Sequence, residues 1–507
     1  MTTRAEDGSL ASDAYRNDVK DPEKDYRSEE LNLPDDPDAG KTDAEKAAED
    51  KRLLRKLDIR LIPWLSLLYL ISFLDRTNIG NAKVAGMTKD LHLTNGQYNA
   101  TLSIFFVSYS VFEPLTNVMM KRFRPRYFLA VCMFLWGICM MSMGFVKDWR
   151  GLAAARFFLG LMEAGLFPGV NYLLSCWYRR NELGIRLAIF FSAAALAGSF
   201  GGLLAAGIAQ MKGIRGIAGW AWIFILEGLF TVVVGVICIW AVPDFPDEAT
   251  FLDDGDRLRV IRRLKQDKQS SASHEGFKMT YFWAAIKDWK TLAYSIIYMG
   301  ADGPLYAFSL FLPTIISELG YSSTRANLLS VPPYAAAAIL TVTIGYIADR
   351  TGQRGWCNIC VSVLGVVGFA LLASTTLPGL KYAAVFLAAL GIYPCIANTI
   401  SWAANNTEGV YKRGVTLGIL IGWGNLNGVM SSNAYQTTDA PNFRTGHGIV
   451  LAYLTLFLLG GSIVTHFALE RENKLRREGR KDHLIEGKTE QDVALLGDKV
   501  PGFIYTT

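Results

Sequence analysis

From Ile59 onward, apolar runs of about 18–25 residues recur along the chain, each long enough to cross a hydrocarbon layer about 30 Å thick as one helix. They predict spans near 59–83, 97–119, 126–146, 150–175, 184–210 and 219–242. A polar stretch from Pro243 to Lys290 follows, and then six more spans near 291–317, 326–348, 356–376, 380–403, 413–436 and 447–469. The expected fold class is an all-α polytopic membrane protein of twelve transmembrane helices in two six-helix lobes.

Composition sharpens this picture. Hydrophobic residues make up 51% of the 507 positions and charged residues 19%, a balance that excludes an ordinary soluble enzyme. Of the 97 charged side chains, 29 fall between Arg4 and Arg60, which leaves the later tracts almost bare. Residues 1–50 hold sixteen acids and seven bases with little apolar content, so 1–56 reads as a disordered tail. The lobes are then 57–242 and 291–470, joined by a linker at 243–290 and followed by a second polar tail at 471–507. A net charge of +5 is scattered over short clusters rather than gathered into a basic stripe, so nucleic acid is not an expected partner.

Lysines and arginines in short loops mark the cytoplasmic side. Lys51, Arg52, Arg55, Lys56 and Arg60 precede span one, while Lys121, Arg122, Arg124 and Arg126 follow span two. Arg179, Arg180 and Arg186 follow span four, and Arg471, Lys474, Arg476 and Arg477 follow the last. Both tails are expected in the cytoplasm, and the plasma membrane is the expected location. In the linker, Leu258, Ile261 and Leu264 share a helical face with Arg259, Arg262, Arg263 and Lys265 around it. That spacing suits a helix lying on the inner membrane surface, or a solvated linker helix.

Between spans eight and nine the chain reads Gly345-Tyr-Ile-Ala-Asp349-Arg350-Thr-Gly352-Gln-Arg354. The pattern G-x-x-x-D-R-x-G-x-R resembles the signature loop of the major facilitator superfamily. Its glycines permit close helix approach and a tight turn, and its charges can pair at a gate. A second copy, Asn117 to Arg126, lies 228 positions earlier and has lost the glycine and the aspartate, which suits parallel repeated halves. A finer resemblance rests on Phe73-Leu-Asp75-Arg76-Thr-Asn78, Phe112-Glu113-Pro114, Arg156 to Gly165 with Glu163 and Pro168, and Trp220 to Gly228 with Glu227. These stretches, in four spans, look like the fungal allantoate permease family of the anion:cation symporter branch. The resemblance implies the major facilitator fold and uptake of a small organic anion, of vitamin, ureide or carboxylate class, with protons. The missing proline in Ala197 to Gly202 of span five turns the reading from antiport towards symport.

Ionisable side chains deep in a bilayer cost roughly 3 kcal/mol or more each, so they normally face a cavity and mark a pathway. Asp75 and Glu163 fall near one mid-membrane depth and are the expected proton carriers, Glu163 foremost. Arg156 and Glu163 lie seven apart on one helix face, and Arg76 adjoins Asp75, so each acid is expected to have a basic companion. Arg76 and Arg156 are the expected anion-binding arginines, because a planar guanidinium matches a carboxylate. The competing reading is a charge network that holds spans one and four together. Asp302, Asn398, Trp423 and Asn425 complete the expected substrate-binding set, with Trp402 and Asn427 as further candidates, while Glu113 and Glu227 read as helix-packing residues. Gly345, Asp349, Arg350, Gly352 and Arg354 form the expected gate loop.

The expected partners are the organic anion, protons and the lipid bilayer. No cofactor or metal is expected, and the absence of H-E-x-x-H, G-x-S-x-G and P-loop patterns argues against an enzyme. An exporter or facilitator of the same fold, or a non-transporting nutrient sensor, remains the alternative.

Overall fold

The computed structural model describes residues 37–266, 279–408, 410–487 and 497–507. Helix starts earlier than the hydropathy suggests. Glu45 accepts the Thr42 backbone N–H at 2.8 Å and returns its own N–H to the Thr42 hydroxyl, closing a capping box ahead of a 42-residue helix, Asp43–Val84. Residues 43–56, expected in the tail, are therefore helical, residues 37–42 form the turn that leads into them, and the rest of that expectation, over 1–36, lies outside the described residues.

Span one is Asp43–Val84, span two Asn95–Arg122, span three Pro125–Met143, span five Arg180–Ile208 and span six Gly219–Ala241. Span four is broken into Trp149–Glu163 and Leu166–Ser175, and the break falls directly after Glu163. The second lobe holds span seven (Trp289–Ser317), eight (Ser323–Thr351), nine (Arg354–Ser374), ten (Pro378–Asn405) and eleven (Val410–Ala434). Span twelve runs Arg444–Arg477 with a π-helical segment over Tyr453–Gly460. Nine of the described helices are long and apolar enough to cross a membrane. Spans two, seven and eleven fall short of that measure, and they are the ones that bury Glu113, Asp302 and Asn425.

Because direction alternates, the linker and the loops after spans two, four, eight and ten share one end of the bundle, the linker end. The lobes meet along two seams. On one, Gly202 of span five lies so near span eight that an added Cβ would come within 2.4 Å of the Asn327 carbonyl oxygen, and Ser199 donates to the Val331 carbonyl at 3.0 Å. On the other, Asn95 donates to Gln436 at 2.8 Å and Asn433 to the Ser103 hydroxyl at 3.0 Å. These contacts close the end opposite the linker.

Two expectations about the polar segments change. In the linker helix, Asp254–Gln266, two of the arginines are bound within the protein. Arg259 forks onto Asp38 at 2.8 and 2.9 Å and also reaches Asp256, while Arg263 pairs with Glu182 and Asp50. Arg259 and Arg263 are thus engaged by the chain's own acids, and the hydrogen bond from Arg259 holds the Asp38 carboxyl well below the usual range. The end of the second tail is likewise folded, over 498–507. Asp498 receives Lys290 and, at 2.6 Å, Lys412, which also donates to Asp288 at 2.5 Å. Arg476 donates to the Tyr505 hydroxyl at 2.7 Å, and Asn406 and Trp402 hold the Thr506 backbone at 2.7 and 2.8 Å. This strap ties together the linker-end tips of spans seven, ten, eleven and twelve.

Candidate functional site

Neighbouring residues on a helix point about 100° apart, so Asp75 and Arg76 serve different sectors of span one. Arg76 faces the boundary between the lobes. Its Nη2 donates to Glu163 Oε1 at 2.6 Å, and its Nη1 donates to the Tyr306 hydroxyl of the second lobe at 2.7 Å. Ser72 donates to the same Glu163 oxygen at 2.5 Å. The guanidinium carbon lies 4.9 Å from the Tyr109 ring centre, 5.2 Å from Phe105 and 5.4 Å from Tyr306, so the charge is held among ring faces.

The polar chain continues across the boundary. Tyr306 donates to Asn425 Oδ1 at 2.9 Å, and Asn425 Nδ2 donates to Glu113 Oε2 at 3.0 Å. Glu163, Arg76, Tyr306, Asn425 and Glu113 thus link spans four, one, seven, eleven and two in one buried series. Glu113, expected only to pack helices, ends that series.

Neither acid meets the expected companion. Glu163 pairs with Arg76, not with Arg156 two turns away on its own helix. Asp75 turns into the first lobe, where Trp136 and Thr231 donate to its Oδ2 at 3.0 and 2.8 Å. Neighbouring Glu227 accepts from Asn78, which itself accepts from Asn81 at 3.1 Å. Arg156 is 1% exposed and reaches only the Arg76 carbonyl, at 3.4 Å, while its Nε and Nη2 have no hydrogen-bond partner. Helical spacing brought Arg156 and Glu163 to one face; the rotation of span one decided which arginine the acid met.

Arg76, Asp302 and Asn425 line one enclosed cavity together with Tyr69, Tyr109, Phe167, Tyr298 and Tyr306. Its free volume is about 10 Å³, roughly that of a single water. The lobes are therefore closed around the site, and any larger occupant requires the Tyr306–Asn425 side to move away from Arg76.

Asn398 and Trp423 are not brought to this cavity. Asn398 donates to the Arg354 carbonyl and to Asn358, both at 2.8 Å, and accepts from the Arg354 side chain at 3.2 Å, so it belongs to the linker end. Trp423 is 52% exposed and donates to the Met299 sulfur at 3.3 Å. At the gate loop, Arg354 pairs with Asp349, and both press against Gly184 of span five, where a Cβ would lie 2.4 Å from Asp349 Oδ1. Gly345 faces Ala188 closely enough to exclude a side chain, and Gly352 ends span eight at φ 68°, a conformation that favours glycine. Arg350 points outward and donates to the Tyr346 hydroxyl at 3.1 Å. In the first copy, Arg124 and Arg126 find acids in the linker instead of the loop: Glu248 at 3.1 Å and Asp244 at 2.8 Å.

The tyrosines are the residues that sequence reasoning missed. Tyr298, Asp302 and Tyr306 recur every four positions, and Tyr69, Phe73 and Arg76 follow one another at intervals of four and three. That spacing marks one polar aromatic face on each helix and was a usable signal.

With this geometry in place, comparison with known proteins is informative. Residues 65–432 match the family model of the Major Facilitator Superfamily. The MFS-type transporter cnsO of Penicillium expansum is 34% identical over 471 residues, covering 90% of this chain and 91% of that one. The high-affinity nicotinic acid transporter of Saccharomyces cerevisiae is 32% identical over 461 residues, covering 90% and 85%. Among solved structures, an inward-facing bacterial homolog of the human lysosomal transporter Spinster superposes with a TM-score of 0.58 at 14% identity, over 80% of this chain and 93% of that one. The chain belongs to the Major Facilitator Superfamily and is a multi-pass membrane transporter.

Proposed function

We propose that this transporter imports a small organic anion of carboxylate class together with protons, by alternating access of its two lobes, in the plasma membrane with the linker end in the cytoplasm. One observation carries the reading: Arg76 lines the cavity and is shared between the Glu163 carboxylate and Tyr306 of the opposite lobe. An incoming carboxylate competes with Glu163 for that guanidinium. A carboxylate that loses its counter-charge in a low-dielectric interior favours the protonated form, so anion and proton load together. The unpartnered N–H groups of Arg156 directly behind the site add positive potential for the same anion. Similarity to a nicotinic acid transporter supports a carboxylate-bearing substrate, and the aromatic walls suit a compact or planar one.

The test is uptake of labelled small carboxylates, nicotinate among them, by vesicles containing the purified protein, with the pH gradient as the variable. Uptake should rise when the outside is acid and collapse with a protonophore. Carboxylate flux that ignores the gradient would make the protein a facilitator, and flux only out of cells an exporter.

A further inference from the structure

The cavity holds one group that a simple anion does not call for. Asp302 is 2% exposed, lines the same enclosed space as Arg76, and its Oδ2 has no hydrogen-bond partner. Arg76 is the only basic side chain among the lining residues, and its two terminal nitrogens are committed to Glu163 and Tyr306. Asp302 sits between Tyr298 and Tyr306 on one face of span seven, one helical turn from each. Across from it, span eleven presents Gly424, where an added Cβ would come within 3.0 Å of Asp302 Oδ2 and 2.3 Å of the Tyr298 ring. The glycine lets span eleven pack closely against Asp302 and Tyr298, where any side chain would press on both.

An acid without a partner in a low-dielectric site is costly unless something donates to it. Carboxylate charge beside tyrosine faces is an arrangement that holds a protonated or quaternary nitrogen, because the charge and the ring quadrupoles attract the same cation. The wider charge balance points the same way. Among the described residues, five buried carboxylates (Asp75, Glu113, Glu163, Glu227 and Asp302) accompany two arginines, Arg76 and Arg156, through the middle of the bundle.

We propose that the transported anion is amphoteric: Arg76 takes its carboxylate, and Asp302 with Tyr298 and Tyr306 takes a positively charged nitrogen on the same molecule. This rests on the reading of Arg76 as the carboxylate anchor. A zwitterion fills both ends of the site and enters the membrane interior with little net charge. Asp302 is thereby a specificity residue, distinct from the acid that loads the proton.

The experiment compares matched probes on the purified full-length protein: γ-aminobutyrate against butyrate, and N-methylnicotinate against benzoate, read as ligand-induced thermal stabilisation and as competition for uptake. In the wild type, the zwitterion of at least one pair should bind about tenfold or more tightly than its plain partner. Asp302→Asn should reduce that preference to near unity by weakening the zwitterion more than its plain partner, while the pH gradient still drives uptake. Equal binding of both members in the wild type overturns the inference even if the variant fails to fold, while leaving the carboxylate reading intact. Preference retained in Asp302→Asn, or preference retained with proton coupling lost, also overturns it, the latter assigning Asp302 to the proton. If no carboxylate of either kind binds, the reading of Arg76 itself fails and this inference with it.

Discussion

Arg76 of span one holds the Glu163 carboxylate of span four at 2.6 Å while donating to Tyr306 of the other lobe, so the site's central cation belongs to both lobes at once. Closing the lobes and pairing the acid are therefore a single event. Under the proposed function, a substrate carboxylate that draws Arg76 away acts on both.

The fork of Arg76 is what this arrangement uses. Arg76→Lys keeps the charge but not two parallel donors. Initial uptake at low substrate, normalised to protein at the membrane, should fall about tenfold or more, equivalent to ~1.4 kcal/mol. Near-normal uptake would reduce Arg76 to a structural ion pair.

Arg156 makes a different prediction, because its Nε and Nη2 are buried without partners. Replacing an uncompensated buried charge by an apolar side chain of similar length is often neutral or stabilising. Arg156→Met should unfold within about 2 °C of the wild type and yet lose most transport. A large fall in unfolding temperature would show that Arg156 holds the fold rather than the anion.

Tyr306 bridges Arg76 to Asn425, and Tyr306→Phe removes both hydrogen bonds while keeping the ring. Losing hydrogen bonds to a charged group costs roughly 1.5–3 kcal/mol, enough to repopulate lobe opening. Spin labels at Gly96 and Thr438, on the end opposite the linker, should report a longer or broader distance distribution in the variant. An unchanged distribution would mean that the contacts of the two seams hold the lobes closed without Tyr306.

The strap at 498–507 should stabilise the second lobe. Asp498 is fully buried between Lys290 and Lys412, and breaking such a cluster costs about 3–5 kcal/mol. Asp498→Asn should lower the unfolding temperature by roughly 5 °C or more. Burial alone would raise the Asp288 carboxyl, but Lys290 and Lys412 outweigh it and hold the group below its usual range. A depressed acid stabilises fully above its unfolded value of about 3.9 and loses that contribution as pH falls through the folded value. Stability from this cluster should therefore persist at pH 5 and disappear only in stronger acid. Loss between pH 7 and 5 would contradict the assignment.

How much of this was legible in the sequence follows from what each signal encodes. Hydropathy fixed the spans because length and apolarity are local, and the motif Gly345 to Arg354 marked the turn between spans eight and nine for the same reason. Depth along a helix put Arg76, Asp75, Glu163 and Asp302 at one level, yet depth does not set rotation. Asp75 therefore faced Trp136 instead of the cavity, whereas Asn398 lies too far along span ten and joined Arg354 at the linker end. Partners across helices, such as Arg259 with Asp38 or Thr506 with Asn406, depend on contacts far apart in the chain and left no periodic trace.

The central claim, that displacement of Glu163 from Arg76 couples anion to proton, is tested most directly by Glu163→Gln in vesicles containing the purified protein. Glutamine matches the protonated acid in size and cannot release a proton. The variant should exchange labelled for unlabelled substrate across the membrane at a rate comparable to the wild type, yet fail to concentrate substrate when the outside is acidified. Continued accumulation in proportion to the pH gradient would contradict the account and move the proton site to Asp75 or Asp302.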